Sequence, residues 1–142
     1  MLLALSLLLL LAALGWRAID SLFGGMCGST EITRLPAPNG RHDAVLFEHN
    51  CGATTDFATH VSVIPTSAPL SDAPGNAFAA GPGDGPRADW GGPPVTLRWA
   101  ADGALVIGYG AGAEVFTAVE RVDGVAVRLN GYGTTTPGEV KP

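Results

Sequence analysis

The residues that could do chemistry gather in one short stretch, HNCGATTDF at residues 49–57. Cys51 could be a nucleophile if a base held it as a thiolate, and His49 stands two residues before it. A metal ion is a second option, because His49, His60 and Asp56 offer nitrogen and oxygen ligands. The third option is one half of a disulfide bond, since the chain has two cysteines.

Catalysis by Cys51 has little support in the sequence. On an extended strand, the side chains of His49 and Cys51 point to the same side, but the imidazole ring and the thiol do not come into good contact. The sequence also supplies no evident oxyanion hole. We therefore assign no catalytic residue, and we predict that the chain is not an enzyme.

A metal site would depend on how two strands pair. If residues 43–50 pair with residues 57–64, His49 and His60 lie diagonally on one sheet face, within reach of each other. The chain has neither Cys-x-x-Cys nor His-x-x-x-His spacing, and single histidines on strand edges are more often solvated or hydrogen-bonded. We assign no metal ligand and no cofactor. A small metal-binding or hydrolytic protein using His49, His60 and Asp56 remains the alternative function.

The first 16 residues, MLLALSLLLLLAALGW, are apolar apart from one serine. A helix that is hydrophobic all round belongs in a membrane or a deep core, and a chain of 142 residues has no core to hold it. The run of about 15 residues suits the core of a signal peptide and is short for a full span. Apolar residues resume beyond it, and a helix over residues 2–23 would be about 33 Å long.

We therefore expect residues 1–23 to contact the membrane, and we favour an uncleaved single-pass anchor. The rest of the chain would then lie in the periplasm or outside the cell. Secretion after signal cleavage is the alternative. Lipid attachment at Cys27 is disfavoured, because Met26 occupies the position that needs a small residue.

The compartment favours the disulfide option for the two cysteines. Beyond the membrane the surroundings are oxidising, so Cys27 and Cys51 are predicted to form one disulfide bond. Closing a loop of about 25 residues would stabilise the fold by roughly 3–4 kcal/mol. The folded body is small enough to need such a bond.

The composition excludes nucleic acid as a partner and indicates no small-molecule substrate. The formal net charge is -5, and the basic residues form no cluster that could neutralise phosphates. Charged residues make up 15% of the chain, below the roughly 25% typical of globular proteins. An envelope protein is the partner class that the anchor favours.

After Cys27 the sequence predicts a mainly β fold, a small antiparallel sheet or meander, either one curved sheet or a small sandwich. Val, Ile, Thr and aromatic residues dominate the short runs, as half-buried strands prefer. Asn-Gly and Asp-Gly pairs, which suit tight hairpin turns, separate several of them. The predicted strands are 43–49, 57–64, 95–100, 104–109, 114–119 and 125–130.

Two segments share one form: an apolar lead, small residues, Asn-Gly or Asp-Gly, then a strand. They are residues 35–47 and 97–109, and they predict two blade-like hairpins in a β-domain over residues 27–130. Residues 65–94 are dense in Pro, Gly, Ala and Ser, which predicts a long flexible loop whose one strand candidate is residues 76–80. Residues 131–142 are predicted to be a disordered tail.

The stretch from MCGS through PNGRHDAVLFEHNCGATTDFATHVSVIP resembles a family of small bacterial envelope proteins with a CGATT motif. Those proteins carry an N-terminal hydrophobic segment, and no activity is assigned to them, so the resemblance implies architecture and not function. Asn39 replaces the family's usual Asp. The matching residues are Cys27, Gly28, Pro38, Gly40, Ala44, Val45, Phe47, Cys51, Gly52, Ala53, Thr54, Thr55, Phe57, Val61 and Ser62.

The GATTD segment after Cys51 is predicted to be a hairpin loop. Thr54, Thr55 and Asp56 can hydrogen-bond the exposed backbone of such a loop. The functional alternative is a small polar site for a ligand or peptide. Taken together, the sequence predicts a membrane-anchored, non-enzymatic β-domain that acts by contact with another envelope component.

Overall fold

A computed structural model of the chain describes residues 1–24, 27–52 and 57–132. It contains one helix and nine strands within those ranges. In chain order they are α1 (Leu2–Gly24), β1 (Gly28–Pro36), β2 (His42–Asn50), β3 (Ala58–Pro65), β4 (Phe78–Gly81), β5 (Val95–Trp99), β6 (Leu105–Gly110), β7 (Glu114–Ala118), β8 (Arg121–Val122) and β9 (Val125–Tyr132).

The strands form two sheets, as the sandwich option predicts. Sheet A has the order β1-β2-β3-β4-β7, and sheet B has the order β5-β6-β9-β8. The expectation of a purely antiparallel meander is wrong at one place, because β6 and β9 pair in parallel. The chain leaves sheet B after β6, adds β7 to sheet A, and returns through β8 to β9. Such a crossover is what two parallel neighbours require.

The helix α1 extends along the apolar segment at the start of the chain. Its described leucines are exposed, among them Leu3, Leu8 and Leu14. In the parts of the chain that are described, no helix has both the length and the apolar character that crossing a membrane would require.

Three of the four predicted Asn-Gly and Asp-Gly turn pairs occupy bends between strands; the fourth, Asn130-Gly131, lies within β9 and pairs with β6. Gly40 joins β1 to β2 and Gly103 joins β5 to β6, both with positive φ. Asp123 and Gly124 both have positive φ, which is the backbone of a two-residue hairpin between β8 and β9. Both segments of shared form are therefore hairpins, and the Trp99 indole N–H donates to the Leu35 carbonyl to link them.

The hydrophobic core lies between the sheets. Alternate residues of sheet A point towards sheet B, because side chains along a strand face opposite sides in turn. The members from sheet A include Ala44, Leu46, Val61, Val63, Phe78 and Ala80, and those from sheet B include Val95, Leu105, Ile107, Val125 and Val127. We call this side of sheet A the inner face and the opposite side the outer face.

The loop of residues 65–94 contains one strand, β4, where the sequence suggests one. The rest is irregular, as predicted, but its first part is held in place by hydrogen bonds. Residues 66–76, which we call the strap, run over the outer face of sheet A. The Ser67 amide donates to Asp43, the Ser29 amide donates to Asp72, and the Gly75 amide donates to His60.

The β-domain differs from the prediction at both of its ends. The sequence predicts no strand before residue 43, yet β1 covers Gly28–Pro36 at the edge of sheet A. It is polar and half-exposed, and a bulge between Glu31 and Thr33 interrupts its alternation. At the other end, β9 runs two residues past its predicted end, because Gly131 and Tyr132 pair with β6. The rest of the predicted tail, residues 133–142, lies outside the described residues.

Candidate functional site

The two cysteines form the predicted disulfide bond between Cys27 and Cys51. The register of β1 and β2 places them opposite each other, since the last ladder pair is Gly28 with Asn50. The bond therefore extends the β1–β2 ladder by one step. In the chain-entropy model, a loop with the sequence separation of 24 that this bond closes contributes about 3–4 kcal/mol.

His49 touches the disulfide directly. Its Nε2 lies 3.5 Å from Cys51 Sγ, and its Nδ1 lies 3.1 Å from the Ser29 hydroxyl. The expectation that the heads of His49 and Cys51 do not meet is wrong. It assumed a continuous strand, but β2 ends at Asn50 and the chain turns at Gly52, whose φ is 114°. The alternation of side chains along a strand therefore does not determine where the Cys51 side chain lies.

His60 lies beside His49, as the predicted strand pairing requires. Phe47 is the ladder partner of His60, which sets His49 and His60 diagonally across β2 and β3. Their ring centroids are 4.7 Å apart, and the Phe47 ring lies 5.6 Å from His60. Both histidines are buried. The pairing and the diagonal contact are therefore confirmed.

The environment of His60 holds its ring neutral. Burial, and secondly the nearby His49, lowers the pKa of His60 to about 4. The Gly75 amide donates to Nδ1 at 2.9 Å. An accepting Nδ1 leaves the single proton of the neutral ring on Nε2. Hence His60 has no free lone pair for a metal in this arrangement.

A cavity of about 390 Å³ opens beside the two histidines on the outer face. Phe116, which is 60% exposed, stands at its β7 side. Its lining consists of His49, Cys51, Ala58, His60, Gly81, Pro82, Gly83, Glu114 and Phe116. The disulfide, the two histidines and the exposed strand β7 therefore meet at one place.

Of the three residues in the alternative metal-binding function, the structure brings His49 and His60 together. A different set also forms a close group. Potential ligand atoms of Cys27, His49 and Cys51 all lie within 4.8 Å of one another. Both sulfurs, however, are in the disulfide bond, and the thiolate is the form of cysteine that binds metals. Asp56 lies outside the described residues, and so does the rest of the polar loop site, Thr54 and Thr55.

An ion pair under the strap was not anticipated from the sequence. Asp43 is buried; it accepts from Arg34 at 3.0 Å and from the Ser67 amide at 3.0 Å. The Ser67 amide, and secondly Arg34, holds the pKa of Asp43 below its usual value. Arg34 also donates to the Ala68 carbonyl. The available signal was an aspartate directly before the apolar run of residues 44–47, since a buried carboxylate needs partners.

Comparison of the chain with protein-family models, with curated proteins and with solved structures found no match. The resemblance to envelope proteins with a CGATT motif therefore stays a prediction.

Proposed function

We propose that the chain is a membrane-tethered β-domain outside the cytoplasm that binds another envelope protein without catalysing a reaction. The observation that carries this proposal is β7, an edge strand of sheet A. Val115 and Phe116 on it are 37% and 60% exposed. An edge strand offers backbone N–H and C=O groups to an added strand, and exposed apolar side chains add contacts. The binding mode we propose is addition of an extended partner segment along β7.

The other edge of sheet A supports this choice by contrast. The edge strand β1 is bulged between Glu31 and Thr33, and Arg34 pairs with Glu31 on it at 2.9 Å. Bulges and charges are the usual means by which proteins protect an edge from added strands. The strand β7 is bulged too, at Phe116 between the pairs Ala80–Val115 and Ala79–Thr117. Its difference from β1 is that a valine and a phenylalanine are exposed on it.

The proposed location rests on two features. Disulfide bonds persist in oxidising compartments, and Cys27–Cys51 is one. The described leucines of α1 are exposed, and a helix with apolar residues on all sides is stable where lipid covers it. Residues 1–23 are thus the proposed membrane tether. Release after signal cleavage is the alternative for the same segment.

Photo-cross-linking in intact cells tests the proposal. A photoreactive amino acid replaces Phe116 on β7, and in a control it replaces Thr30 on β1. We expect position 116 to capture one reproducible envelope protein through an extended segment, and Val115→Lys to weaken that capture. Failure to capture a reproducible partner at position 116, or capture of the same proteins at both positions, would contradict the proposal.

A metal-binding or hydrolytic role for His49, His60 and Asp56 is the second candidate. The 4.7 Å between the two imidazole rings beside an open cavity favours it. Metal binding by His60 requires that the Gly75 amide release Nδ1 or that Nε2 lose its proton to Nδ1. The test is the metal content of the purified protein with and without His60→Ala. Stoichiometric metal that is lost in the variant would support this role. Metal content that is negligible, or equal in both proteins, would reject it.

A further inference from the structure

We propose that the Cys27–Cys51 bond is a thiol–disulfide exchange site, in which His49 is the acid–base group and a small cysteinyl thiol is the reactant. The inference goes beyond the proposed docking function and does not depend on it. It rests on the contact of His49 with Cys51, on the cavity that both residues line, and on the strand pairing that remains when the bond opens.

His49 is placed as a base with an orienting group behind it. The Ser29 hydroxyl lies 3.1 Å from Nδ1, and Cys51 Sγ lies 3.5 Å from Nε2 on the other side of the ring. When Nδ1–H donates to Ser29 Oγ, the Nε2 lone pair faces the sulfur. A base held by a third group is the arrangement that activates thiols in nucleophilic catalysis. A disulfide bond with only a structural role requires no such group.

The cavity gives a thiol access to Cys51. Its volume of about 390 Å³ lies in the range of small-molecule sites. Glu114 supplies a carboxylate that can pair with the ammonium group of a cysteinyl compound, and Phe116 supplies an apolar wall. Cys51 and His49 lie on the same lining, so a thiol that enters meets the base and the target sulfur together.

The exchange step needs no other reactant. Only a few per cent of a free thiol is ionised near pH 7, so a base increases the reactive fraction. His49 Nε2 takes the proton of the entering thiol, and the thiolate attacks Cys51 Sγ. A new S–S bond forms to Cys51 while the Cys27–Cys51 bond breaks, and its electron pair leaves on Cys27 Sγ. That sulfur then takes the proton from His49, one of whose ring nitrogens lies within 4.8 Å of it.

The fold tolerates this opening. Cys27 and Cys51 lie just beyond the last ladder pair of β1 and β2, Gly28 with Asn50. The ladder continues from there to Pro36 with Asp43, and the strap binds both strands through Asp72 and Ser67. Breaking the bond therefore frees the end of a paired hairpin and does not separate the sheet.

The test is the reaction of the purified full-length protein in detergent with reduced glutathione, a cysteinyl tripeptide. Thiols are quenched by alkylation at successive times, and peptide mass mapping locates the adduct. We expect the glutathione on Cys51 and the alkyl group on Cys27. An adduct on Cys27 instead, or an absence of any adduct, would overturn the proposal.

Rates in two matched variants isolate the role of His49. His49→Gln keeps a polar side chain of similar size but cannot transfer the proton, and we expect it to slow exchange by about tenfold or more. His42→Gln changes a histidine that pairs with Asp123 at the far end of β2, and its rate should equal that of the wild type. Equal exchange rates in the wild type and both variants would indicate that the bond has only a structural role. If His49→Gln fails to fold, the position of the glutathione adduct in the wild type still supports or overturns the proposal.

The pH profile gives a further readout of proton transfer. Among the described residues, the other titratable groups that face this site are His60 on β3, Glu114 on β7 and Asp72 in the strap, which accepts from the Ser29 amide. All three are retained in His49→Gln. A pH dependence in the wild type beyond that of the thiol, which His49→Gln abolishes, is therefore due to His49. His49→Gln leaves β7 unchanged and should retain capture at position 116, so failure of this proposal is distinguishable from failure of the docking proposal.

Discussion

The two faces of sheet A are built from the same strands but are held in different ways. On the inner face, Leu46, Val61 and Phe78 pack against sheet B, and the buried hydroxyl of Thr59 on this face donates to the Pro93 carbonyl. On the outer face, Asp43, His49 and His60 are buried under or beside the strap. The first face depends on apolar area removed from water, and the second depends on hydrogen bonds to named partners.

That difference separates stability from chemistry. The apolar side chains of the inner face do not titrate, so their contribution to the free energy of unfolding does not change with pH. The outer face carries the disulfide, the buried His60 and the Asp43–Arg34 pair, whose energies change with pH or redox state. Changes on the two faces should therefore differ in kind as well as in size.

Phe78→Ala should have the largest effect, because it empties the centre of the inner face. Phe78 is fully buried, and its ring lies 5.5 Å from that of Tyr109 in sheet B. We expect a loss of about 3–5 kcal/mol in the free energy of unfolding, measured by urea denaturation. The loss should be equal at pH 5 and pH 7. A loss that depends on pH would contradict the assignment of this face to packing alone.

Removal of the disulfide by Cys27→Ser with Cys51→Ser should come next. Loop-closure entropy predicts a loss of about 3–4 kcal/mol, with the sheets retained because β1 and β2 stay paired. Urea denaturation gives the loss, and far-ultraviolet circular dichroism reports whether the strands remain. Loss of strand signal at zero denaturant would show that the bond, and not the ladder, holds the hairpin.

Gly75→Ala should perturb the packing of the strap against β3 and β4. A Cβ at this position would lie 2.6 Å from the Phe78 carbonyl oxygen and 2.7 Å from that of Val61, so backbone must move. We expect a loss of about 1–3 kcal/mol and faster amide exchange across residues 66–76. Gly28→Ala is the control, since a Cβ there meets nothing within 4 Å. Equal effects of the two changes would mean that the strap is not closely packed.

The pH dependence of stability should show His60 with a smaller effect. Its pKa is about 4 in the folded protein and 6.5 when unfolded, so the unfolded chain binds more protons between these values. Stability should therefore be complete above pH 6.5 and fall as the pH drops towards 4. We expect about 1–2 kcal/mol from this group, below the full linkage value because the ring keeps some contact with water. His60→Gln should remove this part of the dependence of stability on pH, and His42→Gln should not. If the dependence is unchanged in His60→Gln, a group other than His60 causes it.

Much of the fold follows from local patterns in the sequence. The strands β2 and β3 lie within one residue of the predicted 43–49 and 57–64, because dense β-branched and aromatic residues favour a pleated surface. Turn pairs such as Asp102-Gly103 also occur where hairpins need positive φ. By contrast, β1 escapes detection because an edge strand buries little and its bulge disrupts the alternation. The parallel pairing of β6 with β9 is a crossover, which no local pattern encodes.

The sequence predicts those contacts of the site that follow from the pairing of neighbouring strands. Diagonal positions on β2 and β3 bring His49 near His60, and the oxidising compartment predicted from residues 1–23 pairs Cys27 with Cys51. The contact of His49 with the sulfur depends on the chain leaving the strand at Gly52, which spacing rules do not capture. The strap contacts depend on tertiary hydrogen bonds from an irregular segment, for which sequence periodicity gives no signal.

The most direct test of the account is the intact mass of the protein from its native membrane fraction, with thiol blocking before and after reduction. We propose a disulfide-closed domain tethered outside the cytoplasm. The account predicts a chain that retains residues 1–23, is lighter than the reduced form by two hydrogen atoms, and takes up blocking groups only after reduction. A chain with two thiols that are blocked without reduction would contradict it, because that result indicates a reducing compartment.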